Sequence, residues 1–168
     1  MSDEPELEPK HEQELEYAPV ANQYPKPEIG HAPSITVMGL AGRASNKAPG
    51  PIGDLWRNIH GIGGAKAVPA RFDDVIYCVY CEYESDWTGA YTVIVGCSVP
   101  VDAPVRPGMR KIEVPAGSFA VFPVTGELPS GIGRTWAEIW GLPLERRYEA
   151  DFDRYAEDGS VTVHVGVQ

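Results

Sequence analysis

Four tryptophans and eight tyrosines are the side chains in this sequence best suited to chemistry, and that chemistry is recognition. Their flat π faces stack on aromatic ligands and attract cations. Trp56 and Trp136 each fall on the apolar stripe of a short helical segment, where a tryptophan is commonly core. Strand alternation through Ile76–Tyr83 puts Tyr77 and Tyr83 on one face and Tyr80 on the other, so these rings cannot all line one pocket. Asp153 sits in the charged stretch DFDRY beside Asp151 and Arg154, which by residue type alone reads as solvated surface. His164 lies between the valines of VTVHVGV and is expected to be half-buried, first as a hydrogen-bonded sheet histidine and second as a ligand contact.

Other chemistries find little support. No Ser-His-Asp or Cys-His arrangement stands out, and His11, His31, His60 and His164 are too scattered for a metal pattern. The GIGG run at 61–64 follows a helix rather than a strand and lacks the spacing of a dinucleotide fingerprint. No cofactor is expected. Cys78 and Cys81 form a CxxC, but residues i and i+3 of a strand point to opposite faces and cannot share a metal. Together with Cys97 they make an odd, irregular set that fits packed thiols in a reducing compartment.

Lys and Arg total 14 against 24 Asp and Glu, a net charge of −10, which repels nucleic-acid backbones and anionic lipid. The longest apolar runs are strand-sized and the N-terminus is acidic where a signal peptide is basic and then apolar. These features imply no direct nucleic-acid partner, no membrane partner and a cytoplasmic location. At 168 residues the chain has room for one ordinary domain. Residues 1–30 read as an acidic tail, with a short helix conceivable at His11–Tyr17 before prolines interrupt it. Residues 31–168 read as the domain.

The elements that must position the aromatic residues are written twice. HAPSITVMGLAG (31–42) aligns with PAGSFAVFPVTG (115–126), IGDLWRNIHG (52–61) with IGRTWAEIWG (132–141), Tyr83 with Tyr155, and TVIVG (92–96) with TVHVG (162–166). The offsets fall steadily through 84, 80, 72 and 70, as expected of a second copy with shorter loops. Each copy reads as strand, helix, strand, strand: β-branched and aromatic runs for the strands, and Ile52/Trp56/Ile59 or Ile132/Trp136/Ile139 for the helical stripe. Pro51 and Ser130 suit first turns, and Gly61 and Gly141 suit C′ positions. The expected fold is therefore α+β: tandem βαββ units, about 31–97 and 115–167, each an antiparallel sheet with one helix, around a central pocket.

In this order, LWRNI, IYCVYCEYESDWTGAYTVIVG, the PxGM of Pro107–Met109, VPAGSFAVFPVTG, TWAEIW and the RxYxxDFxxY of Arg147–Tyr155 resemble the GyrI-like (gyrase-inhibitor-like) small-molecule-binding superfamily. The match is nearest to its stand-alone effector-binding proteins, including those carried on integron cassettes. The same module is the ligand-sensing half of AraC-type and MerR-type multidrug regulators. The resemblance implies a central pocket for amphipathic, often cationic, aromatic compounds, and an acid at the third position of DFxxY, usually glutamate and here Asp153, facing the ligand. The expected ligand-binding set is then Trp56, Tyr83, Tyr91, Trp136, Asp153, Tyr155 and His164. Tyr83 is preferred to Tyr80 because the repeat pairs it with Tyr155, which shares a strand face with Asp153. The leading function is a sensor or sequestering module that could work with a regulatory protein partner. One alternative is hydrolysis of a reactive small molecule with Asp153 as general base; another is inhibition of a DNA-acting enzyme by the acidic tail.

Overall fold

The computed structural model describes residues 27–168. Its elements are β1 (Glu28–Ala32), β2 (Ile35–Ser45), α1 (Gly50–Gly61), a 3-10 turn at Gly64–Ala67, β3 (Ile76–Cys81), β4 (Ala90–Val99), β5 (Arg110–Val114), β6 (Gly117–Pro123), α2 (Ser130–Trp140), β7 (Ala150–Tyr155) and β8 (Val161–Val167). Pro51 lies in the first turn of α1, where its missing N–H costs nothing, and Ser130 opens α2. The two glycines stop the helices differently from the expected left-handed cap. Gly61 is the last residue of α1, and Gly141 caps α2 at φ −90°, its N–H donating to the Glu138 carbonyl and that of Leu142 to the Ile139 carbonyl. No helix among the described residues is long and apolar enough to cross a membrane.

All strands join one eight-stranded antiparallel sheet in the order β1-β6-β8-β7-β3-β4-β2-β5. This corrects the expectation of two sheets. The inner strands of the two halves, β3 and β7, pair from Ile76↔Tyr155 to Cys81↔Ala150, so neither half is left with an open inner edge and unpaired backbone groups. The outer strands cross over: β1 precedes β2 yet pairs with β6, and β5 precedes β6 yet pairs with β2. β1 also moves the start of the domain to Glu28, inside the segment read as tail. The rest of that tail, including His11–Tyr17, lies outside the described residues.

Both helices cover one face of the sheet. α1 sets Leu55 and Ile59 against Cys78, Val93 and Val95 of β3 and β4, while α2 sets Ile139 against Ala120, Phe122, Val163 and Val165 of β6 and β8. The opposite face gathers Val37, Tyr77, Val79, Ile94, Phe119 and Phe152 into a second buried cluster. Cys78 belongs to the helix face and Cys81 to the other, as strand alternation requires. On each helix the fully buried stripe runs one residue ahead of the tryptophan, through Leu55 and Ile59 or through Gly131, Thr135 and Ile139. Trp56 and Trp136 are therefore only half-buried at the flank of the stripe.

The seam between β2 and β4 depends on Gly39 and Gly96, which face each other in register. A Cβ on Gly96 would overlap the Met38 carbonyl oxygen, and one on Gly39 would overlap that of Val95. Gly96→Ala must push these strands apart, and we expect it to destabilise the fold by at least the ~1–3 kcal/mol of an overpacked core. Gly30→Ala in β1, with open space around the added carbon, should change stability by less than about 0.5 kcal/mol. Urea unfolding of both variants checks the contrast; equal effects would contradict it.

Candidate ligand-binding site

Two acids on β7 organise the helix-covered side. Asp151 and Asp153 are both completely buried, and alternation points both toward the helices. Asp153 accepts hydrogen bonds from the Tyr80 hydroxyl at 2.7 Å and the Trp136 indole Nε1 at 2.9 Å. Asp151 accepts from Arg146 Nη2 at 2.7 Å, from the backbone N–H of Gly166 at 2.7 Å and from the Tyr83 hydroxyl. Four side chains from β3, the segment just beyond it, α2 and the α2–β7 connection are thus held by two carboxylates.

Those four side chains form one wall of a cleft of about 670 Å³, including the space at its open mouth. Tyr91 and Ile52 line it from the first half, and Trp87 and Trp140 complete it. The Tyr91 hydroxyl donates to Asn46 Oδ1 at 2.7 Å, and Asn46 Nδ2 donates to the Trp87 carbonyl at 2.6 Å, which ties the β3–β4 loop to the end of β2. Trp87 and Trp140 stack with ring centroids 5.2 Å apart and planes only 8° from parallel, closing the loop onto α2.

Of the expected residues, Tyr83, Tyr91 and Trp136 line this cleft, and Trp56, Asp153, Tyr155 and His164 do not. Trp56 is occupied elsewhere: it meets Tyr155 edge-on at 4.7 Å and stacks on His60 at 5.7 Å. Asp153 stands behind the wall, both of its oxygens engaged. His164 is on the opposite face of the sheet, stacked on Phe152 at 4.4 Å and bonded to the Thr162 hydroxyl at 2.9 Å.

Tyr80, which the sequence reading set aside, lines the cleft together with Tyr83. β3 ends at Cys81, and Glu82 takes a left-handed conformation at φ 50°. That break in alternation turns Tyr83 back to the face of Tyr80. The contacts also make Tyr80, rather than Tyr83, the counterpart of Tyr155. Trp136 meets Tyr80 edge-on at 5.4 Å as Trp56 meets Tyr155, and Cys78 lies directly opposite Asp153 in the β3–β7 register. Asp151, Arg146, Trp87 and Trp140 are further residues that sequence reasoning missed. Trp140 carried a signal, since it follows Trp136 by four and shares its side of the helix. Arg146 and Asp151 carried none, because burial of a charged pair is not visible in sequence.

Among the described residues no group of histidines, cysteines and acids could hold a metal ion, and the cysteines are free and buried. Burial pushes the Cys78 thiol well above its ordinary range, which makes it inert. Burial also raises Asp153 to about 7, against the opposing pull of the Tyr80 and Trp136 hydrogen bonds, with the Asp151 charge adding to the rise.

The family model for integron-associated effector binding proteins, Cass2, matches residues 28–166, and the chain belongs to that family. Its solved relatives include the integron cassette protein VCH_CASS2 from the mobile metagenome of Vibrio cholerae, 28% identical, with a TM-score of 0.72 over 86% of this chain and 97% of that one. SAV2435, solved with tetraphenylphosphonium bound, shares the fold at 12% identity, with a TM-score of 0.69 over 86% of this chain and 94% of that one. Among curated proteins, YobU of Bacillus subtilis (strain 168), which carries the name of a proposed transcriptional regulator, is 28% identical over 144 residues, 79% of this chain and 88% of its own length.

Asp153 and His164 make opposite contributions to the pH dependence of stability. Asp153 holds its proton in the fold up to about 7 but releases it at 3.8 when unfolded, so the folded state binds more protons in that window and stability falls as pH rises, by up to about 1.4 kcal/mol per pH unit. Burial, with the Arg154 charge, lowers His164 to about 4 from 6.5. There the unfolded state binds more protons, and stability rises with pH over that interval. Relative to wild type, His164→Gln should lose ground steadily between pH 4.5 and 6.5, and Asp153→Asn should gain it. Denaturation at three pH values checks this; pH-independent differences would contradict it.

Proposed function

We propose that this chain binds amphipathic aromatic molecules, cations included, in the cleft of Tyr80, Tyr83, Tyr91, Trp87, Trp136 and Trp140, and acts as a sensor or sequestering protein. The observation that carries this reading is the acid-backed aromatic wall. Trp136 and Tyr80 present rings to the cleft while their polar atoms donate to Asp153. Their rings are thereby fixed in orientation, and above about pH 7, where the Asp153 carboxyl has given up its proton, its charge behind them favours a cation in front of them without touching it. Membership in an effector-binding family supports the reading, as does the organic cation bound by SAV2435. A regulatory protein partner is compatible with the name of YobU, and the charge of −10 supports action without direct nucleic-acid contact.

The hydrolytic alternative needs Asp153 as a base on water. Its two oxygens are engaged and it is fully buried, which gives that role no support. The inhibitor alternative rests on the acidic tail, which lies outside the described residues apart from its last few positions.

Titration with tetraphenylphosphonium, followed by tryptophan fluorescence, tests the proposal. Trp136→Ala should weaken binding by about tenfold or more, near 1.4 kcal/mol, whereas Trp56→Phe should stay within about twofold, because Trp56 does not line the cleft. In Asp153→Asn the amide oxygen can still accept from Trp136 Nε1 and the amide nitrogen can donate to the Tyr80 hydroxyl, which reverses its role. It should therefore keep the wall and lose only the charge, weakening a cationic aromatic ligand more than a neutral one above about pH 7. Comparable losses from Trp56→Phe and Trp136→Ala would place the ligand elsewhere.

A further inference from the structure

Arg146 is an unusual component of an aromatic cleft. Its side chain is only 5% exposed and its partner Asp151 is fully buried. Asp151 is well satisfied, with three donors on its two oxygens. Arg146 is not. Only Nη2 has an acceptor, and among the described residues no atom accepts from Nε or Nη1, both of which are buried. The guanidinium lies over the Tyr148 ring, 4.3 Å from its centroid, and 5.7 Å from that of Trp136, and the residue lines the cleft. A left-handed backbone at Tyr148, φ 55°, holds that ring beneath it. The arginine is thus fixed by an ion pair on one side and a π face on another, with two buried hydrogen-bond donors left over in a side chain that lines the cleft.

We propose that Arg146 is a specificity-determining residue for a ligand that carries a neutral carbonyl-type oxygen on its aromatic frame. Buried donors without acceptors are costly, and a ligand oxygen that accepts from them recovers the loss while its rings stack on Trp136. A carbonyl suits the position better than a carboxylate. The charge on Arg146 is already balanced by Asp151 at 2.7 Å, and a second anion would stand beside two buried acids in a chain of net charge −10. The cleft would then select by two features at once: a stacking surface that tolerates positive charge and a single acceptor-binding point. This inference rests on the reading of the cleft as the ligand site.

The test uses two neutral probes of one tricyclic skeleton, 10-methylacridone, planar and with the carbonyl, and 10-methyl-9,10-dihydroacridine, bent at its saturated C9 and without it, so the share of the preference due to the carbonyl is its change between wild type and Arg146→Lys; tetraphenylphosphonium is a third ligand without an acceptor. The full-length wild-type protein should bind the acridone at least tenfold more tightly than the dihydroacridine. Arg146→Lys keeps a cation for Asp151 but removes the Nε and Nη1 donors, so it should abolish that preference, read as the ratio of the two acridine affinities within the variant. Equal affinity of the two acridines for wild type, a comparison that needs no variant, would overturn the proposal, as would an unchanged preference in Arg146→Lys. If tetraphenylphosphonium binds and neither acridine does, the subsite fails and the cleft reading stands. If none of the three binds, the cleft reading itself fails.

Discussion

Two carboxylates buried on the inner strand β7 are the constraint on which the cleft depends. Asp151 and Asp153 cannot be taken from water without partners, and the partners they recruit are the residues that build the site wall: Tyr80 and Trp136 on one acid, Tyr83 and Arg146 on the other. The acids lie where the two halves of the sheet join, with Cys78 and Tyr80 of β3 directly opposite them in register. The pairing of β3 with β7 therefore does two jobs. It closes one sheet from two halves, and it brings the tyrosines of the first half within reach of the acids of the second. A polar network of this kind rewards full satisfaction and penalises each missing bond; both acids are satisfied, and the unmet donors of Arg146 are the exception.

The same arrangement separates the two functions a pocket acid can have. An acid exposed in the cleft would meet a cation directly, at the cost of desolvating both. An acid behind the aromatic wall acts through the orientation and polarity of the rings. Asp153 is of the second kind: it is fully buried and both of its oxygens are engaged by wall side chains. The helices accommodate this by placing small or aliphatic residues on the buried stripe and letting the tryptophans flank it. The two tryptophans then diverge in role. Trp56 packs on Tyr155 and His60, whereas Trp136 faces the cleft.

Much of the fold was legible in the sequence because its signals are periodic and local. The two strand-helix-strand-strand runs, the helical stripes and the opposite facing of Cys78 and Cys81 follow from residue spacing alone. The single continuous sheet was not legible, since pairing between β3 and β7 is a long-range choice that neither strand announces. Face assignment failed at one residue: the left-handed Glu82 breaks the alternation and puts Tyr83 on the face of Tyr80, so that both line the cleft. Asp151 looked solvated for the same reason that Arg146 drew no attention. A charged residue in a charged stretch is usually at the surface, and only tertiary contacts show that these two are buried against each other. His164 was placed on the right element, half-buried, yet on the face away from the cleft.

The central claim, that the buried carboxylate of Asp153 holds the cleft wall, is tested most directly at the indole N–H of Trp136. In a series of ¹⁵N–¹H spectra across pH, that resonance should shift with a midpoint at about 7, the value to which burial raises its acceptor, while the Trp56 indole shows no transition of comparable size. A Trp136 signal that is insensitive to pH, or that titrates near the ordinary carboxylate range of about 4, would contradict the account.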